Sequence, residues 1–386
     1  MDNKENKYSG GLEGCRVKID EIDSQIIKLI EERFEVCTNI ARIKNESGKA
    51  IYDPEREAQK LENIRNCAGD PFSAAGLEAV FGQIMAVSRL RQYSELSGSE
   101  SYGLGFSRVK SCGRTGRVAF QGIPGAYGHQ AASEFFSQDS EFIGCRTFRD
   151  VMEMVESGRA DYGVLPVENT MTGIIPDVYD QLSRFGNYIA GEHVVKVEHA
   201  LLALPGADLS GIRTVYSHPQ GLLQCPTFLS KHPDWNQASL ANTAVSAKKV
   251  LDDRDPSQAA IASPQAAAYY GLSVLAENIS DTDNNSTKFI IIRSKPEFEE
   301  AADSISITFE LSHETGSLYR ALGFIIYNQI NMTKIESRPI KGEKWRYRFF
   351  IDIEGNLDEL RIRDALNGIG RDTYNFRILG CYKKAE

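Results

Sequence analysis

The sequence predicts a multidomain chain in which an all-α segment, an α/β segment and an α+β segment follow one another. Three observations predict it. A length of 386 residues is more than one ordinary hydrophobic core serves. Apolar residues recur every three to four positions through the first hundred residues, then give way to short strand-like runs alternating with helical ones. From about Ser304 the pieces read strand, helix, strand, strand, helix, strand. The predicted boundaries are 12–93 for the helical domain, 94–115 for a linker, 116–295 for the α/β domain and 303–386 for the C-terminal domain.

In the helical segment, Ile19, Ile22, Ile26, Leu29, Val36, Ile40 and Ile43 mark one stripe of a helix from about Leu12 to Glu46, roughly 50 Å long. A helix of that length outruns a hundred-residue domain, so it is expected to pack along a partner subunit. Gly48 breaks it. Asp53 and Pro54 then supply a cap and a first-turn proline for a second helix. A third runs from about Ser73 to Tyr93. Residues 94–115 are rich in Ser and Gly without periodicity, hence the linker.

Strands of the α/β segment are expected at Val118–Gln121, Tyr162–Val167, Tyr188–Leu204, Thr214–Ser217, Ala259–Ala262 and Lys288–Arg293, mostly parallel. Helices are expected at Tyr127–Phe136, Ala244–Leu251 and Pro264–Tyr270. The C-terminal pieces are SISITFEL, SLYRALGFIIYNQ, MTKIESRP, YRFFIDIE, LDELRIRDALNGI and FRILGCY. Their order is ferredoxin-like, which alone implies no chemistry.

With 44 basic and 53 acidic residues the formal charge is −9, the wrong footprint for a nucleic-acid binder. The N-terminal run is polar and lacks the apolar core of a secretory signal. Apolar runs such as Phe289 to Ile292 are far short of a membrane span. Seven scattered cysteines without a CxxC pair read as reduced thiols, not as disulfides or a zinc site. A cytoplasmic protein without cofactor or metal, and with no nucleic-acid or membrane partner, is expected.

Arg33 occupies the seam between Leu29 and Val36, where an apolar residue belongs, and Lys44 lies about 20° from it around the helix. Two cations on one buried stripe are costly unless an anion meets them. That anion is either a carboxylate within the bundle, fixing helix register, or a substrate. Ser88 and Gln92 add an i, i+4 polar pair on the third helix.

The run ERF…ARIK, then DPEREAQ, then the polar pair in VSRLRQY, resembles the all-helical chorismate mutases over roughly residues 12–93. The resemblance implies interlaced chains, with Arg16 lent to the partner's site. It further implies that Lys44, Glu57 and Gln92 are catalytic, and that Arg33, Asp53, Arg56 and Ser88 bind substrate. Those residue types suit the reaction. Chorismate to prephenate is an intramolecular rearrangement, so the enzyme must hold a flexible dianion in its reactive fold and stabilise charge on the departing ether oxygen.

In the α/β segment, GIPGAYGHQAA sets glycines between a strand and a helix start, an arrangement that meets anions with backbone N–H groups. LPVENT puts Asn169 and Thr170 at a strand's end. VYSHPQGLLQC opens a helix with Ser217, whose plain alternative is an N-cap, and NNSTKFIII introduces a strand with Thr287. His129 and His218 read as structural or surface residues. Together these runs resemble the prephenate dehydratases over about residues 116–295, a family with two lobes of the periplasmic-binding type. The resemblance implies Thr287 as the acid that protonates the departing ring hydroxyl, and Asn169, Ser217, Gln224 and Lys288 as substrate-binding residues. Two positions depart from the pattern. Lys288 stands where the family has Arg, keeping the charge but losing the bidentate fork for a carboxylate, and Gly128 stands where it has Ser.

TGSLYRAL and IESRP resemble the two phenylalanine-binding motifs of the ACT regulatory domain found in these enzymes. That implies an effector site at Gly316, Ser317, Leu318, Glu336, Ser337, Arg338 and Pro339, feedback inhibition by phenylalanine, and a homodimer or higher homo-oligomer. Ser317 replaces the family's Ala. A non-catalytic two-lobed binding protein is the rival from another class, and the mutase pattern argues against it. A fusion to prephenate dehydrogenase would need a nicotinamide fingerprint after a strand, and the only near match lies in the linker.

Overall fold

The computed structural model describes residues 11–49, 51–97, 104–340 and 342–385. The polar N-terminal run up to residue 10 and the linker positions 98–103 lie outside the described residues.

Three helices open the chain: α1 (Gly11–Glu46), α2 (Pro54–Cys67) and α3 (Pro71–Ser97). Asp53 caps α2 by accepting from Arg56 N at 3.0 Å, and Gly48 takes a left-handed φ of 65° that ends α1. Cys37 and Ala41 of α1 are buried in this domain, and Arg33 meets Ser88 of α3. The predicted apolar stripe does not pack within the chain. Leu29 and Val36, which flank Arg33, are 64% and 54% exposed, and every residue from Arg16 to Leu29 is exposed. Burying one such aliphatic side chain is worth about 1.5–3 kcal/mol, so the bare stripe carries a large unrealised stabilisation.

The predicted linker is partly regular. Helix α3 runs on to Ser97, and β1 (Ser107–Val109) pairs in parallel with a strand nearly 200 residues later.

The α/β domain has two lobes. The first contains β2 (Arg117–Gln121), α4 (Tyr127–Phe135), β3 (Glu141–Cys145), α5 (Phe148–Glu156), β4 (Tyr162–Asn169), β5 (Gly173–Ile174), α6 (Pro176–Leu182) and β6 (Tyr188–Lys196). The second contains β7 (Ala200–Ala203), β8 (Thr214–Ser217), α7 (Pro219–Leu223), α8 (Pro226–Ser230), β9 (Asn236–Ser239), α9 (Thr243–Asp253), β10 (Gln258–Ala262), α10 (Pro264–Tyr270) and β11 (Ser273–Ala276). Strand β12 (Ser286–Arg293) returns to the first lobe, and β13 (Glu297–Glu299) receives β1.

The sheets are mixed, not mostly parallel as expected. The first lobe orders its strands β3-β2-β4-β12-β6, with β12 antiparallel to both neighbours, and the second orders them β11-β7-β10-β8-β9. The single strand expected over Tyr188–Leu204 divides at residues 197–199, where the chain leaves one lobe for the other. There Val197 N bonds Asn285 O at 2.8 Å and Ile279 N bonds His199 O at 3.0 Å. Outgoing and returning segments thus pair with each other at the lobe junction.

The C-terminal domain comprises β14 (Ser304–Glu310), α11 (Ser317–Tyr327), β15 (Met332–Pro339), β16 (Tyr347–Glu354), α12 (Leu360–Asp372) and β17 (Tyr374–Tyr382). Its sheet, β15-β16-β14-β17, continues into the first lobe through β6. The join requires glycine: a Cβ on Gly380 would lie 2.2 Å from Ile189 O. Phe350, Leu379 and Tyr382 enter the first lobe's core, while Ile51 and Tyr93 of the helical domain enter the C-terminal core. All seven cysteines are free thiols, and among the described residues no helix is long and apolar enough to cross a membrane.

Candidate active sites

In the helical domain, Arg33 reaches across from α1 to donate to Ser88 Oγ and, at 3.4 Å, to Ile84 O. Gln92 lies one turn beyond Ser88. Both are buried, and Gln92 Oε1 finds no hydrogen-bond partner among the described residues. Leaving a buried group of this kind unpaired costs about 1–3 kcal/mol. Glu57 is held by the buried guanidinium of Arg89, which also stacks over Tyr52. Lys44 Nζ donates to Ile51 O at 2.7 Å. Asp53 serves its own helix as the cap, and Arg56 is exposed beside Gln59. Arg16 does not join them. It pairs with Glu13 on the exposed arm of α1, 17 residues and roughly 25 Å from Arg33 along the helix.

The α/β domain holds a cleft of about 380 Å³ between its lobes. Thr287 at the start of β12 and Asn169 at the end of β4 are register partners on its floor. Asn169 Nδ2 donates to Thr287 Oγ1 at 2.9 Å and Asn285 Oδ1 at 2.8 Å, while its Oδ1 accepts from Met171 N at 3.0 Å and Thr172 N at 3.1 Å. Asn285 Nδ2 donates to Gln224 Oε1 at 3.2 Å, which also meets His199 Nε2 at 2.8 Å. The other ring nitrogen of His199 is 3.3 Å from the Tyr127 hydroxyl, itself bonded to Glu198 O at 2.7 Å. One polar chain therefore links both lobes. Burial pushes His199 below its ordinary range, so the ring is neutral at neutral pH, and its bond to Gln224 only partly offsets that. A proton on Nε2, donated to Gln224, is the tautomer this chain of bonds requires.

Of the residues predicted for this site, Thr287, Asn169 and Gln224 line the cleft. Ser217 does not. Its hydroxyl is fully buried and donates to Ile261 O at 2.8 Å, and the cap of α7 falls to His218, which lines the cleft. Lys288 also faces elsewhere: side chains alternate along β12, so with Thr287 in the cleft Lys288 points to the opposite face, 3.8 Å from Glu192. At Gly128 a Cβ would meet Gln121 O at 2.9 Å, so the backbone here leaves little room for the family's serine. His129 accepts from Gly125 N at 3.2 Å and packs among Phe120, Phe142 and Tyr269. Tyr127, His199 and Asn285 were not anticipated, nor was Arg89 in the helical site. Asn285 lies within the motif around Thr287 and Tyr127 within the glycine run, but His199 gave no local signal because only the lobe crossing brings it there. A larger cavity of about 580 Å³ lies between Phe106, Tyr188 and α12 and contains none of these residues.

The C-terminal motif residues occupy two elements. Gly316, with φ of 79°, precedes α11, and Ser317 and Leu318 form its first turn. Glu336, Ser337, Arg338 and Pro339 lie on β15, the outer strand of the sheet.

Comparison with known proteins identifies the two domains. Residues 15–93 match the family model for chorismate mutase type II, and residues 118–297 match that for prephenate dehydratase. A bifunctional chorismate mutase/prephenate dehydratase of Aquifex aeolicus is 35% identical over 375 residues, covering 97% of this chain and 98% of that one. The chain belongs to the bifunctional chorismate mutase/prephenate dehydratases. It carries a mutase domain and a dehydratase domain in one polypeptide. Regions making up 69% of this chain resemble the prephenate dehydratase of Arthrobacter aurescens solved with L-Phe, with a TM-score of 0.64 and 31% identity, covering 90% of that one. They resemble equally a chain named as the quorum-quenching acylase GqqA, with a TM-score of 0.64 and 30% identity over 69% of this chain and 98% of that one. Fold likeness alone therefore does not fix the chemistry, and the side chains of the cleft carry that part of the argument.

Proposed function

We propose that Thr287 is the acid of the dehydratase and that the mutase site is completed by a second copy of the chain. The 2.9 Å bond from Asn169 to Thr287 carries the first part. Because Oγ1 accepts from the Asn169 amide, its own hydrogen is left to point into the cleft. Prephenate bound there receives that proton on its ring hydroxyl as the C–O bond breaks. The electrons come from the ring carboxylate, whose C–C bond breaks to release carbon dioxide, and the ring becomes aromatic. Water, carbon dioxide and phenylpyruvate leave, and Thr287 regains its proton from solvent. Aromatisation supplies the driving force, so a weak acid held in place suffices. Gln224, Asn285 and neutral His199, which continue the hydrogen-bond chain from Asn169, orient the substrate.

In the mutase, Arg33 holds a substrate carboxylate, while Lys44 and Gln92 stabilise the ether oxygen and Glu57 completes the catalytic set with Asp53, Arg56 and Ser88 around it. Arg16 enters from the partner's α1, and the bare stripe from Ile19 to Ile43 is the surface along which the two α1 helices pair. The C-terminal domain acts as an ACT-type sensor: phenylalanine binds at Gly316–Leu318 and Glu336–Pro339 and lowers dehydratase activity, in a cytoplasmic homodimer or larger assembly. The L-Phe bound to the Arthrobacter relative supports the effector's identity. The protein is given chorismate alone, with prephenate and phenylpyruvate followed together. Phenylpyruvate is expected, and its formation should slow when phenylalanine is added. Prephenate that accumulates without phenylpyruvate would refute the Thr287 reading.

A further inference from the structure

The two strands that carry the Asn169–Thr287 pair each turn the neighbouring side chain to the other face of the sheet, as strand alternation demands. On β4 that neighbour is Glu168, and on β12 it is Lys288. Both meet charged groups packed against the C-terminal sheet. Glu168 accepts from Lys334 Nζ of β15 at 2.8 Å, and that ammonium also lies 5.1 Å over the ring of Tyr179. Lys288 lies 3.8 Å from Glu192, which is 3.4 Å from the Tyr382 hydroxyl of β17. Tyr382 in turn meets Ser306 at 2.8 Å, and Ser306 donates to Asp352 at 2.5 Å. The hydrogen bond from Lys334 holds Glu168 below the usual carboxylate range, whereas burial raises Glu192 and Asp352 above it. Two ammonium groups and three carboxylates thus sit behind the catalytic pair, outside the cleft. Arg338, on the same face of β15 as Lys334, reaches Asp180 of α6 at 3.5 Å, a second tie from β15 to this lobe.

We propose that Lys334 is a positioning residue for dehydration. Through Glu168 it fixes the end of β4, and so sets how Asn169 presents its amide to Thr287. The C-terminal sheet is then part of what makes the cleft competent, and a movement of β15 reaches the acid through one ion pair. The inference rests on Thr287 being that acid.

The test compares Lys334→Met, Lys334→Arg and Glu168→Gln in the full chain, with Thr287→Ala alongside. Lys334→Met and Glu168→Gln should each lower dehydratase kcat about tenfold with little change in KM, because a misplaced catalytic pair still binds substrate. The double variant should fall no further than either single one, since both remove the same tie. Lys334→Arg should keep most of the activity. Mutase turnover in the same samples should stay near wild type, which reports that the chain is folded. Dehydratase kcat within twofold of wild type in Lys334→Met would overturn the proposal. So would equal losses in Lys334→Arg and Lys334→Met, or losses that multiply in the double variant. If Thr287→Ala keeps its turnover, it is the acid assignment that fails, whatever Lys334 does.

Discussion

The interlobe cleft draws Asn169, His199, Gln224, Asn285 and Thr287 from two lobes of one chain and joins them in a continuous set of hydrogen bonds, with Tyr127 against His199. The residues proposed for the mutase site are spread over the three helices, with Gln92 Oε1 left without a partner among the described residues and Arg16 on an exposed arm. The difference follows from domain size. A lobe built on a five-stranded sheet can enclose a site, whereas three helices with a 36-residue arm cannot bury that arm alone. One site should therefore behave as a property of the chain and the other as a property of the assembly.

The sharpest way to separate the two sites is to remove each one's chemistry. Thr287→Ala should lower dehydratase kcat by about 10²–10⁴, the usual worth of a positioned acid, and leave mutase kinetics unchanged. A steady-state assay with each substrate checks both halves. Lys44→Ala should do the reverse, costing the mutase about 10²–10³ in kcat while dehydration of added prephenate continues. Mutase turnover near the wild-type rate would break the assignment of Lys44 to the ether oxygen.

The assembly side of the contrast is tested on the bare stripe. Ile22→Asp with Ile26→Asp should make mutase activity fall roughly tenfold or more on dilution to nanomolar protein, because a charge buried in a pairing helix opposes association. Dehydratase activity per chain should not follow it. Dilution curves of the two activities in one preparation decide this.

The smallest effect concerns pH. Burial holds His199 neutral in the folded chain, whereas the unfolded ring titrates near about 6.5. The unfolded state therefore binds the extra proton first, and stability contributed by the neutral ring is lost as pH falls below that value. Urea melts at pH 5 and pH 7.5 should show a smaller pH difference in His199→Gln than in wild type.

How much of this was legible depended on whether the signal was local. The start of α2 could be read because Asp53 and Pro54 satisfy a helix end by themselves, and the six C-terminal pieces because each alternates or repeats within its own length. Strands β3, β9 and β11 were missed. Each is only four or five residues long and partly exposed, too short for an alternating or long apolar pattern to mark it. The break at residues 197–199 was hidden because Val194, Val195 and Val197 continue a strand-like pattern across the lobe crossing. The family resemblance of their motifs was enough to bring Thr287 and Asn169 to one cleft, but the placements of Ser217 and Lys288 could not be read that way. Which face a strand residue occupies depends on register with distant neighbours, and a motif does not record that.

Mixing two inactive mutase variants addresses the contrast at its root. Chains carrying Arg16→Ala and chains carrying Lys44→Ala are unfolded together, refolded at equal concentrations and assayed with chorismate. If each site takes Arg16 from the partner, half the dimers are mixed and each mixed dimer has one intact site, so mutase activity should return to about a quarter of wild type. Thr287→Ala mixed with Asn169→Ala should restore no dehydratase activity, because both residues belong to one chain's cleft. A mutase mixture as inactive as its components, with mixed dimers verified by mass, would contradict the shared site.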